Sequence, residues 1–268
     1  MPEDTAKEPV LEVRNVSVAF DANRVLDDVS FTLYNGETYV LLGPAGGGKS
    51  VLLKIINGLI PPDSGSIRVF GQEITTMTQN ELFKMRRRVG MVFQESALFD
   101  SMNVEDNVAY RLNEEGVDPK EAHQRVEESL AFVELSQAID KFPSELSGGM
   151  RRRVSIARAL ITKPDLILYD SPTGGLDPIT STTIVELVIK QRDESHTASV
   201  MITHRLQDAF FLATHQWDAA SKTVRQIPNG GIDETTKFLV LNEGKVVFDG
   251  TTLELTHSED PWLQNFLS

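Results

Sequence analysis

The fold is decided by one glycine-rich stretch, Gly43-Pro44-Ala45-Gly46-Gly47-Gly48-Lys49-Ser50. The apolar run 37–42 before it predicts a buried strand, and the pattern from Ser50 to Leu59 predicts a helix. In such a strand–loop–helix junction, backbone N–H groups curl around a phosphate, and the helix N-terminus adds a favourable dipole. The alternative is a glycine-rich turn without a ligand, and the flanking strand and helix argue against it. The stretch therefore predicts a nucleoside triphosphate site.

The residue types in this loop match the needs of a triphosphate. Lys49 provides a cation for the β- and γ-phosphates, and Ser50 provides a hydroxyl ligand for Mg²⁺. We expect nucleotide contacts from the whole loop and the residue after it: Gly43, Pro44, Ala45, Gly46, Gly47, Gly48, Lys49, Ser50 and Val51.

A carboxylate follows a second buried-type strand, 166–169. In a parallel sheet the carboxyl ends of the strands meet at one edge, so Asp170 is predicted to lie beside the loop and to hold Mg²⁺ through water. A single Asp after a buried strand is usually an ordinary loop residue. The Gly-Leu-Asp segment at 175–177 strengthens the functional interpretation.

Composition and charge exclude several classes of protein. The chain has 268 residues, of which 40% are hydrophobic and 24% charged, so we expect an ordered globular chain. A net charge of −13 argues against a nucleic-acid partner, because such a partner requires a dominant basic field. The absence of cysteine excludes disulfides and thiolate chemistry. The polar start, 1–9, does not look like a signal peptide, and no apolar run approaches the roughly 20 residues that span a bilayer. These features predict a soluble, cytoplasmic chain.

A further segment, Leu146-Ser-Gly-Gly149, begins a helix predicted over Ser147–Leu160. In isolation, Ser-Gly-Gly is an ordinary helix cap. Here it precedes the strand that ends at Asp170, and it resembles the signature of the ATP-binding cassette (ABC) ATPases. Other positions resemble that family's motifs in the same order: Phe20 the adenine-stacking aromatic, Gln94 the Q-loop, Gly175-Leu176-Asp177 the D-loop and His204 the switch histidine.

The resemblance implies an α/β fold with a P-loop NTPase core, an antiparallel β subdomain near the N-terminus and a helical subdomain at about 98–163. The helical and acidic pattern from Val104 to about Ile139 agrees with that subdomain. We expect a single ATP-binding domain over 9–250 and a C-terminal tail over 251–268.

The resemblance also implies how ATP and Mg²⁺ are bound. Two chains pair head to tail, so that Ser147, Gly148 and Gly149 of one chain reach the γ-phosphate held by Lys49 of the other. A helix N-terminus with small residues suits this role, because its donors come close to an anion. Asp177, in the D-loop, is a further expected nucleotide-binding residue. The expected metal ligands are Ser50, Gln94 and Asp170, and the expected catalytic residues are Gln94, Asp170, Ser171 and His204.

A narrower resemblance is to the ATPases of MCE-type (Mla-like) lipid transporters. It is carried by the segments Val92–Ser101, Asn107–Tyr110, Leu146–Arg151, Leu176–Thr180 and Asp260–Leu267. It implies as partners a second ATP-binding subunit, first of all an identical chain, a transmembrane permease and an MCE-type lipid-binding protein, but no nucleic acid. The implied location is the cytoplasmic face of the inner membrane, with attachment through the permease.

Two other function classes remain open. One is an ABC ATPase that acts on protein or nucleic-acid assemblies without a permease. The acidic balance and the lack of a long coiled-coil insertion count against it. The other is an ATP-gated switch that hardly turns over.

The switch remains open because the chain has Ser171 where the family has Glu. A hydroxyl cannot efficiently take the proton of the attacking water, and general-base assistance is worth about 10²–10⁴-fold, which is roughly 3–5 kcal/mol of barrier. We therefore predict retained ATP binding and slow hydrolysis. Three explanations stay open: another group such as His204 or Glu95 assists, the residue is an engineered substitution, or the chain pairs with a different ATPase subunit.

Three surface segments have two interpretations each. The region between Thr214 and Lys237 is interpreted as a surface insertion, with a partner contact as the alternative. The basic clusters 86–88 and 151–153 are interpreted as solvated helix faces. The alternative for these clusters is docking of a cytoplasmic permease helix near Gln94 and Phe99, or contact with anionic lipid.

Overall fold

The computed structural model describes residues 8–21 and 23–268, so most of the polar N-terminal start lies outside the described residues. The strands are β1 (Pro9–Phe20), β2 (Asn23–Tyr34), β3 (Thr38–Leu42), β4 (Ser64–Val69), β5 (Gln72–Glu73), β6 (Val89–Val92), β7 (Leu166–Asp170), β8 (Ala198–Ile202), β9 (His215–Asp218), β10 (Thr223–Gln226), β11 (Thr236–Asn242) and β12 (Lys245–Thr251). The helices are α1 (Lys49–Ile56), α2 (Gln79–Arg86), α3 (Val104–Glu114), α4 (Pro119–Phe132), α5 (Gly148–Leu160), α6 (Pro178–Ser195), α7 (Leu206–Thr214), α8 (Thr252–Thr256) and α9 (Pro261–Leu267).

A six-stranded sheet forms the centre of the molecule, in the order β12-β11-β3-β8-β7-β6. The neighbours from β11 to β6 run parallel, and only β12 at the edge is antiparallel. Every residue of β3, β7 and β8 is buried, as expected for parallel strands covered on both faces. Because β3 and β7 point the same way, the loop after Leu42 and the carboxylate of Asp170 lie at the same edge.

Two further units flank this sheet. The strands β2, β1, β4 and β5 form an antiparallel sheet, whose buried face adjoins α1 and one side of the central sheet. The helices α3, α4 and α5 pack against one another on the other side. The α/β class with an antiparallel β unit, predicted from the sequence, is confirmed.

The structure corrects several predicted element boundaries. The helical pattern over 104–139 forms two long helices, α3 and α4, which are separated at Gly116 with a φ of +72°. Asp118 caps α4 and Pro119 occupies its first turn, a combination that favours a helix start. The helix predicted to extend to Leu59 ends at Ile56.

The predicted insertion at 214–237 contains a hairpin of β9 and β10. Its side chains Trp217 and Val224 pack against the main core, so this hairpin belongs to the folded domain. No helix in the described part of the chain is both long and apolar enough to cross a membrane.

One buried arginine attaches this hairpin to the rest of the domain. Arg192 is 5% exposed and lies near the end of α6. Its guanidinium pairs with Asp193 at 2.7 Å and with Asp233 at 2.9 Å. It also donates to the carbonyls of Leu212 and His215, at 2.7 and 2.8 Å. A single cation thus joins three segments of the chain: the end of α6, the junction of α7 and β9, and the loop at Asp233.

We expect Arg192→Met to lower the free energy of unfolding by about 3 kcal/mol, because two partly buried carboxylates lose their cation. Urea denaturation followed by circular dichroism measures this. Arg125→Met is the matched control, since Arg125 pairs with Glu121 on the surface. It should change stability by less than about 0.5 kcal/mol. Equal effects of the two substitutions would contradict the structural role of Arg192.

Candidate nucleotide-binding site

The glycine-rich loop connects β3 to α1 and requires glycine at two positions for steric reasons. Gly43 has a φ of +138°, and a Cβ there would lie 2.1 Å from the carbonyl oxygen of Leu241. Gly48 has a φ of +84°, and its Cβ would lie 2.6 Å from the carbonyl oxygen of Val25. These close approaches keep the loop against the sheet, while the tip, 44–46, is exposed. The exposed backbone is available to a ligand.

The lysine of the loop is nearly inaccessible, with 4% of its surface exposed. The Nζ of Lys49 donates hydrogen bonds to the carbonyl oxygens of Gly43 and Pro44, at 2.9 and 2.7 Å. Burial lowers the pKa of Lys49, and the negative charge of Asp170 opposes this. A desolvated cation inside a ring of backbone groups is suited to a polyanion such as a triphosphate.

The predicted magnesium ligands include a pair in direct contact. The Oγ of Ser50, on the first turn of α1, donates to Oδ1 of Asp170 at the end of β7, at 2.9 Å. Asp170 is 8% exposed. Adjacent hydroxyl and carboxylate oxygens suit Mg²⁺, which usually takes one or two protein ligands and completes its shell with phosphate and water oxygens. The described residues contain no cluster of three or more His, Asp or Glu that could hold a metal alone. The donor set therefore fits a magnesium ion bound together with a nucleotide.

Gln94 lies against the turn that follows β7, and Ser171 is the first residue of that turn. The Nε2 of Gln94 lies 3.4 Å from the position that a Cβ on Gly174 would occupy. Ser171 is 2% exposed, has a φ of +48° and donates its amide to the carbonyl oxygen of Ile202, at 3.1 Å. Among the hydrogen bonds of the described chain, Gln94 makes none to Ser50 or Asp170. The third predicted metal ligand is therefore near the site but not joined to it.

His204 follows β8 and is exposed. Partial burial lowers its pKa, the positive charge of Lys49 lowers it further, and the negative charge of Asp170 opposes both. The imidazole thus lies in the electrostatic field of Lys49 and Asp170. At neutral pH its ring nitrogens include an acceptor.

The signature and D-loop segments contact each other within the chain. Ser147 caps α5 by accepting from the amide of Met150, at 3.2 Å. Asp177 caps α6 by accepting from the amide of Thr180, at 3.0 Å, and hydrogen bonds from Thr180 lower its pKa. A Cβ on Gly149 would lie 2.4 Å from Cγ2 of Thr180, so glycine is needed for this contact. Both helix N-termini therefore lie together on one surface, where Ser147, Gly148 and Asp177 are exposed.

Phe20 and Val51 complete the predicted nucleotide contacts. Phe20 ends β1 and is 45% exposed, so its ring is accessible for stacking. Val51 is half-buried on α1, next to Ser50. No hydrogen bond or ring contact among the described residues joins Phe20 to the loop, and its adenine-stacking role stays a prediction.

The solvated interpretation of the basic clusters is wrong for Arg152, which is 4% exposed. Its guanidinium donates to the carbonyl oxygen of Phe93, the residue before Gln94, at 2.9 Å. Helical periodicity is the signal that could have found it, since Arg152 shares a face with the buried Ile156 and Ala159. Arg86 is also engaged, because its Nε donates to a backbone carbonyl at 2.9 Å.

The field at His204 leads to a testable prediction. The imidazole should titrate below its ordinary value, Lys49→Met should raise its pKa, and Asp170→Asn should lower it further. NMR of ¹³C-labelled histidine, assigned with His204→Gln, measures these shifts. Lys54→Met, which removes an exposed lysine from the same helix, is the control. If the pKa of His204 were the same in Lys49→Met as in the unsubstituted chain, the proximity of Lys49 to His204 would be contradicted.

Comparisons with known proteins agree with this geometry. The family model described as ABC transporter matches residues 26–174. The intermembrane phospholipid transport system ATP-binding protein MlaF of Escherichia coli is 35% identical over 259 residues, 96% of this chain and 88% of that protein. A probable ribonucleotide transport ATP-binding protein of Mycobacterium tuberculosis is 41% identical over 201 residues, 74% of this chain and 56% of that protein. A solved dimeric ATP-binding cassette in a post-hydrolysis state, bound to ADP and Pi, has a TM-score of 0.76 and 28% identity, covering 90% of this chain and 98% of that one. This chain therefore belongs to the ABC transporter family of ATP-binding proteins.

Proposed function

We propose that this chain is the ATP-binding subunit of an ABC transporter that moves phospholipid or a similar lipid. The observation that supports a lipid is the similarity, over 96% of the chain, to a protein named for intermembrane phospholipid transport. The relative named for ribonucleotide transport matches 74% of the chain. The C-terminal segment 260–267, which resembles the tail of MCE-type ATPases, also supports a lipid.

ATP binding and hydrolysis at a dimer interface would drive this transport. When bound, ATP with Mg²⁺ supplies a phosphoanhydride bond and a charge that joins two chains. The backbone of loop 43–48 and the buried Lys49 would hold the phosphates, and Ser50 and Asp170 would hold the cation. The exposed Ser147 and Gly148 at the start of α5 would offer N–H and hydroxyl donors to the nucleotide of the second copy.

Ser171 separates nucleotide binding from turnover in this proposal. Its hydroxyl has no carboxylate character, so it can orient a water molecule but not accept the proton efficiently. Lys49, Ser50 and Asp170 remain, so the affinity for ATP persists while hydrolysis slows. The neutral imidazole of His204, near Lys49 and Asp170, is the alternative proton acceptor.

We expect Ser171→Glu to accelerate phosphate release by about 10²-fold or more, because a carboxylate at this position can act as the general base. Phosphate release by the purified complex, at saturating ATP and Mg²⁺, measures the effect. Ser171→Gln is the matched control, since it adds the same length without a base, and Lys49→Ala sets the background.

Equal rates for Ser171→Glu and Ser171→Gln would show that a different group activates the water. His204 and Glu95 would then be the next residues to replace. Activation by Glu alone would identify Ser171 as a brake, and the chain as an ATP-held switch or the slower member of a pair of different ATPases.

A groove between the core and the helices α3 and α5 supports a permease partner. It has a volume of about 700 Å³ and is bordered by Phe83, Phe99, Tyr110 and Arg158. Phe83 is 58% exposed, and the rings of Phe99 and Tyr110 lie with their centroids 4.8 Å apart. Exposed aromatic rings of this kind favour insertion of an amphipathic segment. We propose that the groove receives a cytoplasmic segment of the permease.

This assignment has consequences for location and for the remaining subunit. Attachment through the groove would hold the chain at the cytoplasmic face of the inner membrane. An MCE-type lipid-binding protein is the further partner that we propose, on the resemblance of segments such as 92–101.

We expect Phe83→Asp and Tyr110→Asp to weaken binding to the permease by about 30-fold each, because a charge replaces an aromatic anchor. Binding of the chain to the permease in nanodiscs measures this. Leu253→Asp is the control, since Leu253 is 56% exposed on α8 and lies outside the groove. Unaltered binding of the groove variants would place the permease elsewhere.

A further inference from the structure

The buried Arg152 joins three segments of the nucleotide site. It lies on the signature helix α5, one turn after Gly149. Its Nη1 donates to the carbonyl oxygen of Phe93, at 2.9 Å, and its Nη2 donates to the carbonyl oxygen of Gly174, at 3.3 Å. Phe93 precedes Gln94, and Gly174 lies within the loop 171–177. Arg152 therefore links α5 directly to both segments.

A second buried charge contacts the same loop. Asp208, on α7 after His204, is 5% exposed, and its Oδ2 accepts a hydrogen bond from Oγ1 of Thr173, at 2.6 Å. Arg205 lies 3.5 Å from the other oxygen of Asp208 and donates to Ser181, near the start of α6, at 2.7 Å. The loop is thus connected to the segment that carries the switch histidine.

The two contacts fall on adjacent residues of the loop. Thr173 is held by α7 and Gly174 by α5, and the turn between Ser171 and Gly174 is closed by a backbone hydrogen bond of 2.9 Å. Ser171 begins this loop and Asp177 ends it. The loop therefore cannot shift without breaking a bond to one of the two buried charges, and each break leaves a charge poorly solvated.

We propose that Arg152 and Asp208 are positioning residues, which clamp the loop 171–177 between the signature helix and the switch segment. The clamp keeps Gln94, Ser171 and Asp177 in one arrangement relative to α5. It rests on the proposed function, because its purpose is to close the ATP-dependent dimer only when the signature helix is correctly placed. Neither residue is among the predicted nucleotide contacts.

Hydrogen exchange of the free chain tests the clamp directly. The reporters are the amides of Gly174 and Leu176, which donate within the loop. Arg152→Met should raise their exchange rates by about tenfold, because loop opening becomes easier. Arg153→Met is the matched control on the same helix, since Arg153 donates to the carbonyls of Val133 and Glu134. It should leave the loop amides unchanged.

Thr173→Val is a second variant, which tests the same loop in case Arg152→Met fails to fold. It keeps the shape of the side chain but removes the donor to Asp208, so it too should accelerate exchange in 171–177. Arg152→Lys can reach one carbonyl instead of two and should give an intermediate rate. The proposal would be overturned if the hydrogen-exchange rates of the loop amides were unchanged in both Arg152→Met and Thr173→Val.

ATP-dependent dimerisation separates positioning from mere stability. In Arg152→Met the dimer that forms with ATP and Mg²⁺ should dissociate about tenfold more readily, while the affinity of the isolated chain for a fluorescent ATP analogue changes less than about twofold. Arg153→Met should match the unsubstituted chain in both, by analytical ultracentrifugation and fluorescence. Normal dimerisation of Arg152→Met would overturn the positioning role. If the unsubstituted chain itself fails to dimerise, the proposed function fails at that step, and the exchange experiment still decides the clamp.

Discussion

The hydrogen bond between Ser50 and Asp170 is the contact on which the nucleotide site depends. It joins the first turn of α1 to the carboxyl end of β7, at 2.9 Å. The contact exists because β3 and β7 run parallel, with β8 between them, and end at the same edge of the sheet. The loop also packs closely against Leu241 of β11 at Gly43 and against Val25 of β2 at Gly48. The sheet topology therefore brings together the loop that we propose as the phosphate cradle and the residues that we propose as cation ligands.

The remaining motifs are arranged around the turn that follows Asp170. Ser171, with a φ of +48°, leads the chain away from the sheet, and the amide of Ser171 stays attached to β8. The signature helix reaches this turn through Arg152, and the switch segment reaches it through Asp208. Groups that are far apart in sequence thus meet at one short loop. Such an arrangement suits a protein in which the binding of nucleotide and the pairing of subunits are coupled.

Ser171 is the position at which this chain differs from the motif of the family. The groups that bind a nucleotide are retained, whereas the position that should carry a general base holds a hydroxyl. Buried and anchored through its backbone, Ser171 is kept in a defined place. In the function that we propose, binding and hydrolysis rest on different residues, so that the lifetime of the ATP-bound dimer can be long without loss of affinity.

The sequence by itself determined the features that depend on local backbone requirements. These include the glycine-rich loop, the apolar strands that end at Leu42 and Asp170, and the helix cap at Ser147, because each needs only its neighbours along the chain. Helical periodicity places Arg152 on the buried face of α5, but only the tertiary structure decided what pairs with its charge, since its partner carbonyl at Phe93 lies 59 residues away in the sequence. The same holds for the contact of Thr173 with Asp208 and for the hairpin at 215–226 attached by Arg192. A charged side chain is buried only where the fold brings carbonyls or carboxylates to it. Those partners lie far away in the sequence, so local sequence patterns do not identify them.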